Sequence, residues 1–247
     1  MPMDFSEPFH ESSKDLRGHG SVRIQKDFRE WPAEWKSTFY KDYGKLPTHP
    51  LPPPNEEGAF FALVKDRSSR RNFTDANIPL EELSSLLAYT CGQLPCEPSR
   101  EKRRRAYPSA GARYPIEVYP LVLRSMPGLP AGVYHYNVRD HALDVLWERE
   151  FAPADIAKLF TYNWVQRASV VIILTGVFRR IKQKYGERGY RYVVLEAGHI
   201  GQNVYLASSE LGLKCCELAG THDGAIEKLL EIDGVTESVL HAIVIGK

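Results

Sequence analysis

The chain has 247 residues, and its 32 Lys and Arg against 31 Asp and Glu leave a formal net charge of +1. That balance argues against an electrostatic grip on nucleic acid or on an anionic membrane surface. The length suits one large domain or two small ones, with enough chain to bury a core.

No long apolar segment offers a transmembrane helix. The N-terminus, MPMDFSEPFHESSKDLRGHG, lacks the apolar stretch of a secretory signal. Cys91, Cys96, Cys215 and Cys216 match no CxxC spacing. They read as reduced thiols of a cytoplasmic protein.

Residues 1–57 read as an N-terminal arm that wraps onto the domain. The arm ends in THPLPPPNEEG, whose prolines favour a stiff, extended path. Trp31, Trp35, Phe39 and Tyr40 are its candidates for burial. The main domain is expected over residues 58–247. AFFALVKDR has a short helical pattern. DRSSRRNF, at 66–73, then crowds Arg67, Ser68, Ser69 and Arg71 into one turn. Guanidinium groups and hydroxyls together suit a phosphate, although such a run equally serves as a polar loop between helices.

IPLEELSSLLAYTCG predicts a clearer helix. Leu80, Leu83, Leu86 and Leu87 share a face, Pro79 suits the first turn and Gly92 the stop. The basic run REKRRR, at 100–105, reads as a solvated loop, with attraction of an acidic partner as the alternative. YPSAGARYPIEVY, at 107–119, follows. Its prolines bracket Ser109, Ala110 and Gly111, and small residues let a backbone lie close against something flat or bulky. A plain tight turn before a strand would use the same residues.

IEVYPLVL is the strand, and GVYHYNV with HALDVLW reads as a hairpin around Arg139 and Asp140. PADIAKLF is a short helix and ASVVIILTGVF a fully buried strand. RRIKQKYGERGYRY, at 179–192, is dense in cations and tyrosines. Lys184, set among other cations, has the surroundings that lower a lysine's pKa and make it a base, and Tyr185 can relay a proton. A solvated cationic helix face is the plain alternative.

A long helix is predicted through YRYVVLEAGHIGQNVYLASSELGL, with Val193, Ala197, Ile200, Val204 and Leu211 on one stripe and Gly198 and Gly201 flattening a side. KCCELAG is a strand, whose end presents bare backbone suited to the edge of a heterocycle. GAIEKLLEI is a helix and ESVLHAIVIGK a terminal strand. Helices and strands mix without regular βαβ alternation, so the fold class is α+β. No P-loop, GxGxxG, HExxH, Cys–His metal spacing or G-x-S-x-G occurs. A Rossmann nicotinamide site, a metal site and a serine triad are therefore not expected.

DRSSRRNF, YPSAGARYPIEVY, GVYHYN, KYGERGYRYVVLEAGHIGQNVYLASSELGL and the closing HAIVIGK, in this order, resemble the FMN-dependent nitroreductase family. They are most similar to its SagB-type dehydrogenase branch, which oxidises azoline rings in ribosomal peptide natural products. The early FHESSK resembles that branch's leader segment. The resemblance runs from about Arg67 to the C-terminus.

It implies a nitroreductase-like fold: a central, mostly antiparallel sheet flanked by helices, in an intertwined homodimer with FMN at the interface. Arg67, Ser68, Ser69 and Arg71 fall where the family binds the FMN phosphate and ribityl chain. Pro108, Ser109, Ala110 and Gly111 fall beside the isoalloxazine ring, with Arg113 expected to reach flavin or substrate. Leu218, Ala219 and Gly220 fall where backbone approaches the reactive ring nitrogen. Lys184 and Tyr185 match a Lys-Tyr pair tied to azoline oxidation.

Family members run past the final strand and wrap the partner. Here the chain ends at Lys247, so the N-terminal arm and the long helix are expected to lock the dimer. A peptide substrate and a cyclodehydratase are the implied partners. Two rival functions share the flavin site: a generalist NAD(P)H-dependent reductase of nitroaromatics or quinones, and a non-catalytic flavoprotein scaffold in a cyclodehydratase complex.

Overall fold

A computed structural model describes residues 5–14, 27–95 and 104–247; Cys96 and residues 100–103 of the basic run lie outside them. In chain order the helices and strands are α1 (Ser6–Ser13), α2 (Ala33–Lys36), α3 (Ala59–Asp66), α4 (Leu80–Thr90), β1 (Gln93–Leu94), β2 (Arg104–Arg105), β3 (Ile116–Val122), β4 (Gly132–Asn137), β5 (Ala142–Glu148), α5 (Pro153–Leu159), β6 (Val170–Val177), α6 (Arg179–Tyr185), α7 (Arg188–Glu210), β7 (Lys214–Leu218), α8 (Asp223–Leu230) and β8 (Glu237–Gly246). β1 and β2 form a small ribbon. The other six strands form one sheet, ordered β5-β4-β3-β6-β8-β7, with every neighbouring pair antiparallel.

The continuous apolar run of β6 takes the centre because both its faces are covered. Val170, Ile172 and Leu174 face the layer of α4 and α7, while Val171 and Ile173 face the layer of α5 and α8. Full burial of such side chains stabilises by about 1.5–3 kcal/mol each. β3 alternates in the same way, with Ile116, Val118 and Val122 on the first layer and Tyr119 and Leu121 on the second. Pro120, lacking an N–H, is awkward inside a sheet. It is tolerated where the β4 ladder stops, since β4 pairs with β3 only at Leu121 and Val122.

α4 keeps the predicted face: Leu83, Leu86 and Leu87 are buried. The Gly92 N–H closes its end by donating to the Leu87 and Ala88 carbonyls. α7 buries Val193, Ala197, Ile200 and Val204 against the sheet. Leu211 is only half-buried because the helix ends at Glu210. Gly201 does not lie on an open face for a second helix. A Cβ there would collide with the Glu217 carboxylate and approach His241 Nε2 at 3.5 Å, so its small size serves contact with β7 and β8 of the same chain.

The arm differs from expectation. Trp35 is exposed, and Phe39 (79 % exposed) and Tyr40 (86 % exposed) lie almost wholly open within the chain. Trp31 and Trp35 meet each other edge-on at 6.0 Å instead. Helix α1 packs on the domain. His10 is buried against Phe178 (5.1 Å between ring centroids) and bonds the Ser238 hydroxyl at 2.8 Å and Tyr190 Oη at 3.3 Å. Ser238 in turn donates to Glu227, whose carboxylate pairs with Lys14 at 3.1 Å. Lys14 also donates to the Gly234 carbonyl at 2.7 Å. His10 and Lys14 stand one helical turn apart, so one face of α1 enters one network.

Burial holds the His10 pKa below its usual 6.5. The Lys14 charge adds to that, while Glu11 and Glu227 oppose it. A docked, neutral His10 therefore resists the proton that a released segment would accept. Docking is full above about pH 6.5 and weakens as pH falls from there toward the docked value. Amide exchange of residues 6–14, corrected for intrinsic rate, should be faster at about pH 5.5 than at about pH 7.5. Equal protection at both would contradict this account.

Candidate active site

The loop between β2 and β3 is built on its own contacts. Tyr107 is buried, with its ring edge-on to Tyr114 at 5.8 Å. Arg105 donates to Tyr107 Oη at 3.0 Å and lies 4.7 Å over the Tyr114 ring. The Ser109 hydroxyl accepts the Tyr114 N–H at 2.8 Å, and the Ser109 carbonyl accepts the Ala112 N–H at 3.0 Å. Gly111 (φ 61°), Ala112 (φ 53°) and Tyr114 (φ 47°) are all left-handed. Such backbone costs about 1–3 kcal/mol per non-glycine residue, and strain of this kind gathers at functional sites.

The loop meets α6 at Gly111. A Cβ there would lie 2.8 Å from Lys184 Nζ and 2.6 Å from Tyr185 Oη. The bare glycine is what lets both polar tips come down onto the loop. Lys184 is exposed, with its Nζ 5.2 Å from the centroid of the Tyr185 ring, and Tyr185 rests edge-on against Tyr192 of α7 at 5.2 Å. Pro108 and Gly111 are exposed and Ser109 and Ala110 half-buried. Arg113 is exposed. Its Nε donates to the Arg180 carbonyl at 2.9 Å, which ties the loop to α6.

The polar turn after α3 lies farther along α7. Arg67 stacks over the Tyr205 ring at 5.4 Å, Ser69 Oγ bonds Tyr205 Oη at 2.8 Å, and the Arg70 N–H donates to the Cys215 carbonyl at 2.9 Å. Arg71 sits beside the Cys216 thiol and opposes the upward push of burial on its pKa. Ser68, Ser69 and Arg71 are exposed. Tyr192 and Tyr205, the two contact points on α7, are thirteen residues apart, about 20 Å along the axis. Leu218 is buried, Ala219 exposed, and the Gly220 carbonyl accepts the Thr161 N–H at 2.9 Å. A Cβ on Gly220 would strike the Tyr162 ring at 2.7 Å, so close packing accounts for that glycine.

Sequence reasoning missed Glu196. It is 2 % exposed on α7, neither carboxylate oxygen has a hydrogen-bond partner of ordinary geometry, and burial raises its pKa to about 7. The Ser109 hydroxyl and the Arg105 charge partly offset that rise. Its signal was present: position 196 lies on the stripe of Val193, Ala197 and Ile200, where a carboxylate is out of place. Tyr205 was also missed as the anchor of the polar turn. Cys91 and Cys215 are free, buried thiols with pKa values pushed up to about 12 by burial, which makes them inert. Among the described residues no group of His, Cys, Asp and Glu is arranged to hold a metal ion. No described helix is long and apolar enough to cross a membrane.

The Lys-Tyr pair over the Gly111 loop and the cationic, hydroxyl-rich turn thus meet one long helix at two points about 20 Å apart. The chain belongs to the nitroreductase family, which it matches over residues 64–247, and is thereby an FMN-dependent oxidoreductase. It is 34 % identical over 170 residues to the putative nitroreductase MJ1384 of Methanocaldococcus jannaschii, covering 69 % of this chain and 82 % of that protein. It is 37 % identical over 154 residues to the trifolitoxin-processing protein TfxB of Rhizobium leguminosarum bv. trifolii, covering 60 % of this chain but only 40 % of TfxB. In fold it is similar to a chain of the Escherichia coli microcin synthetase McbBCD complex solved with truncated pro-MccB17. The TM-score there is 0.70 at 21 % identity, with 97 % of this chain and 90 % of that one covered.

Gly111→Ala should cost about 1–2 kcal/mol in urea denaturation, because a Cβ at left-handed φ is strained and meets Lys184 and Tyr185. A variant as stable as the wild type would show that the two tips move aside freely.

Proposed function

We propose that this protein is an azoline dehydrogenase, oxidising thiazoline or oxazoline rings in a ribosomal peptide to azoles. The observation that carries the reading is the convergence of Lys184 Nζ and Tyr185 Oη on Gly111. A base and a proton relay there stand on a loop of small residues, beside which a planar ring can lie. The residues fit FMN. Arg67, Ser68, Ser69 and Arg71 offer forked and hydroxyl donors for its phosphate and ribityl chain, Pro108–Gly111 a low surface for the ring, and Leu218–Gly220 a backbone edge.

FMN, when bound, supplies the acceptor for the hydride that leaves the azoline. The chain's own work is placement and proton removal. Lys184 takes the proton from a ring carbon, and Tyr185 holds the lysine in position through its ring or passes the proton on. Loss of one proton and one hydride leaves the aromatic ring. Reacting atoms must be held at about 3–3.5 Å, which the strained loop and α6 serve by limiting movement.

In this reading the enzyme works in the cytoplasm as a homodimer with FMN between subunits, on a peptide delivered by a cyclodehydratase. Exposed Val194 and Leu195 on α7 and exposed Phe60, Phe61 and Val64 on α3 offer the apolar surface such a pairing needs. The exposed aromatics of the arm, residues 1–57, would find their cover on the partner.

Lys184→Ala should keep its flavin and lose azoline oxidation by about 10²–10⁴-fold, the usual worth of a general base. Nitroaromatic turnover, which takes no proton from carbon, should hardly change. Equal loss of both activities would make Lys184 structural. Arg71→Ala should release flavin through a lost charge-assisted bond worth about 1.5–3 kcal/mol, read as a colourless, folded protein.

A further inference from the structure

Arg180 lies one helical turn before Lys184 on α6, and it bonds the loop from both its ends. Its carbonyl accepts Arg113 Nε at 2.9 Å, and its Nη1 donates to the Tyr114 carbonyl at 3.2 Å. Two consecutive loop residues are thus gripped by one residue of the helix. The second of them, Tyr114, is in the left-handed conformation.

The guanidinium is itself held by an ion pair with Glu117 of β3. Glu117 is largely buried and bonded on its other oxygen to His135 Nε2 at 2.9 Å, and His135 Nδ1 reaches Asp144 at 3.2 Å. Charges alternate along this line from β5 to α6 when His135 is protonated, which its bonds to Glu117 and Asp144 favour by raising its pKa. Burial pushes the Glu117 carboxyl up, but His135 and Arg180 outweigh it and hold the group below the usual carboxylate range. The line is anchored in three neighbouring strands, β5, β4 and β3, and its far end is the loop that carries Gly111.

We propose that Arg180 is a positioning residue: it staples the 107–114 loop to α6, so that Lys184 and Tyr185 stay over Gly111. The catalytic half of this inference rests on the azoline-oxidising reading; the mechanical half does not. Lys184 and Gly111 belong to segments far apart in sequence, and the loop is left-handed at three positions. Without the staple, the loop can relax and carry Gly111 away from the pair. A shift of about 1 Å at a reacting centre is enough to cost on the order of 10²-fold in rate.

The test uses Arg180→Met, alone and combined with Lys184→Ala, in the purified full chain. Hydrogen exchange should quicken in residues 107–114 and 179–186 together. Turnover of a thiazoline peptide should show kcat lower by about 10–10²-fold with KM within about twofold. In the Lys184→Ala background the same change should lower kcat no further, because a residue that acts through Lys184 has nothing left to position.

Should Arg180→Met not fold, Glu117→Gln frees the same guanidinium and is read in the same way. Unchanged exchange in the loop, or a kcat loss that persists in full without Lys184, overturns the proposal. Coupled exchange in a wild-type protein that turns over no azoline overturns the azoline reading and leaves the staple standing.

Discussion

The architecture depends on one pairing, that of β3 with β6. Ile116 opens β3 opposite Gly176, near the end of β6. In an antiparallel pair, whatever precedes the first strand must meet whatever follows the second. The loop before β3 and helix α6 after β6 are therefore forced to one end of the sheet. Their contact at Gly111 follows from register, and the Pro115 carbonyl, accepting the Val177 N–H at 2.8 Å, marks the same junction. A slip of one residue would turn every side chain of β3 to the opposite layer. Burial of Ile116, Val118 and Val122 on one side and Tyr119 and Leu121 on the other holds the register against it.

α7 organises what that pairing brings together. Its inner stripe seals one face of the sheet, and its flank carries the contacts of the site in sequence: Tyr192 against Tyr185, and Tyr205 under Arg67 and Ser69. Asn203, between them, donates to the carbonyls of Thr90 and Ala106, tying α4 and the start of the loop to the same helix. A rigid helix is a suitable ruler for groups that must stay about 20 Å apart. The buried Glu196 carboxyl on this helix is unusual there, because burial without full hydrogen bonding is costly unless the group is neutral.

Side chains of one charge do different work here according to what faces them. Arg67 and Arg71 lie near the exposed polar turn. Arg113 donates to the Arg180 carbonyl, and Arg180 donates to the Tyr114 carbonyl and pairs with Glu117. The guanidinium fork suits both uses, and composition alone does not tell them apart. The same holds for the N-terminal segment, where His10 and Lys14 are absorbed into a buried network with Ser238 and Glu227 while the bulkier aromatics stay outside.

The sequence by itself determined the α+β class, the boundaries of α3, α4 and α7 to within a few residues, the hairpin around Arg139 and Asp140, and the buried β6. All of these are set by local periodicity, turn residues and caps, which act over a few positions. The neighbourhood of Lys184 with the PSAGARYP loop was legible only as motif and resemblance. Their contact spans more than seventy residues of chain, and only the sheet register decides it. Tertiary structure alone also decided that Arg113 bonds Arg180, that Gly201 makes room for Glu217, that Phe39 and Tyr40 stay exposed, and that Glu196 is buried. Each is a matter of what stands opposite a side chain across the fold, and nothing in the local sequence specifies that partner.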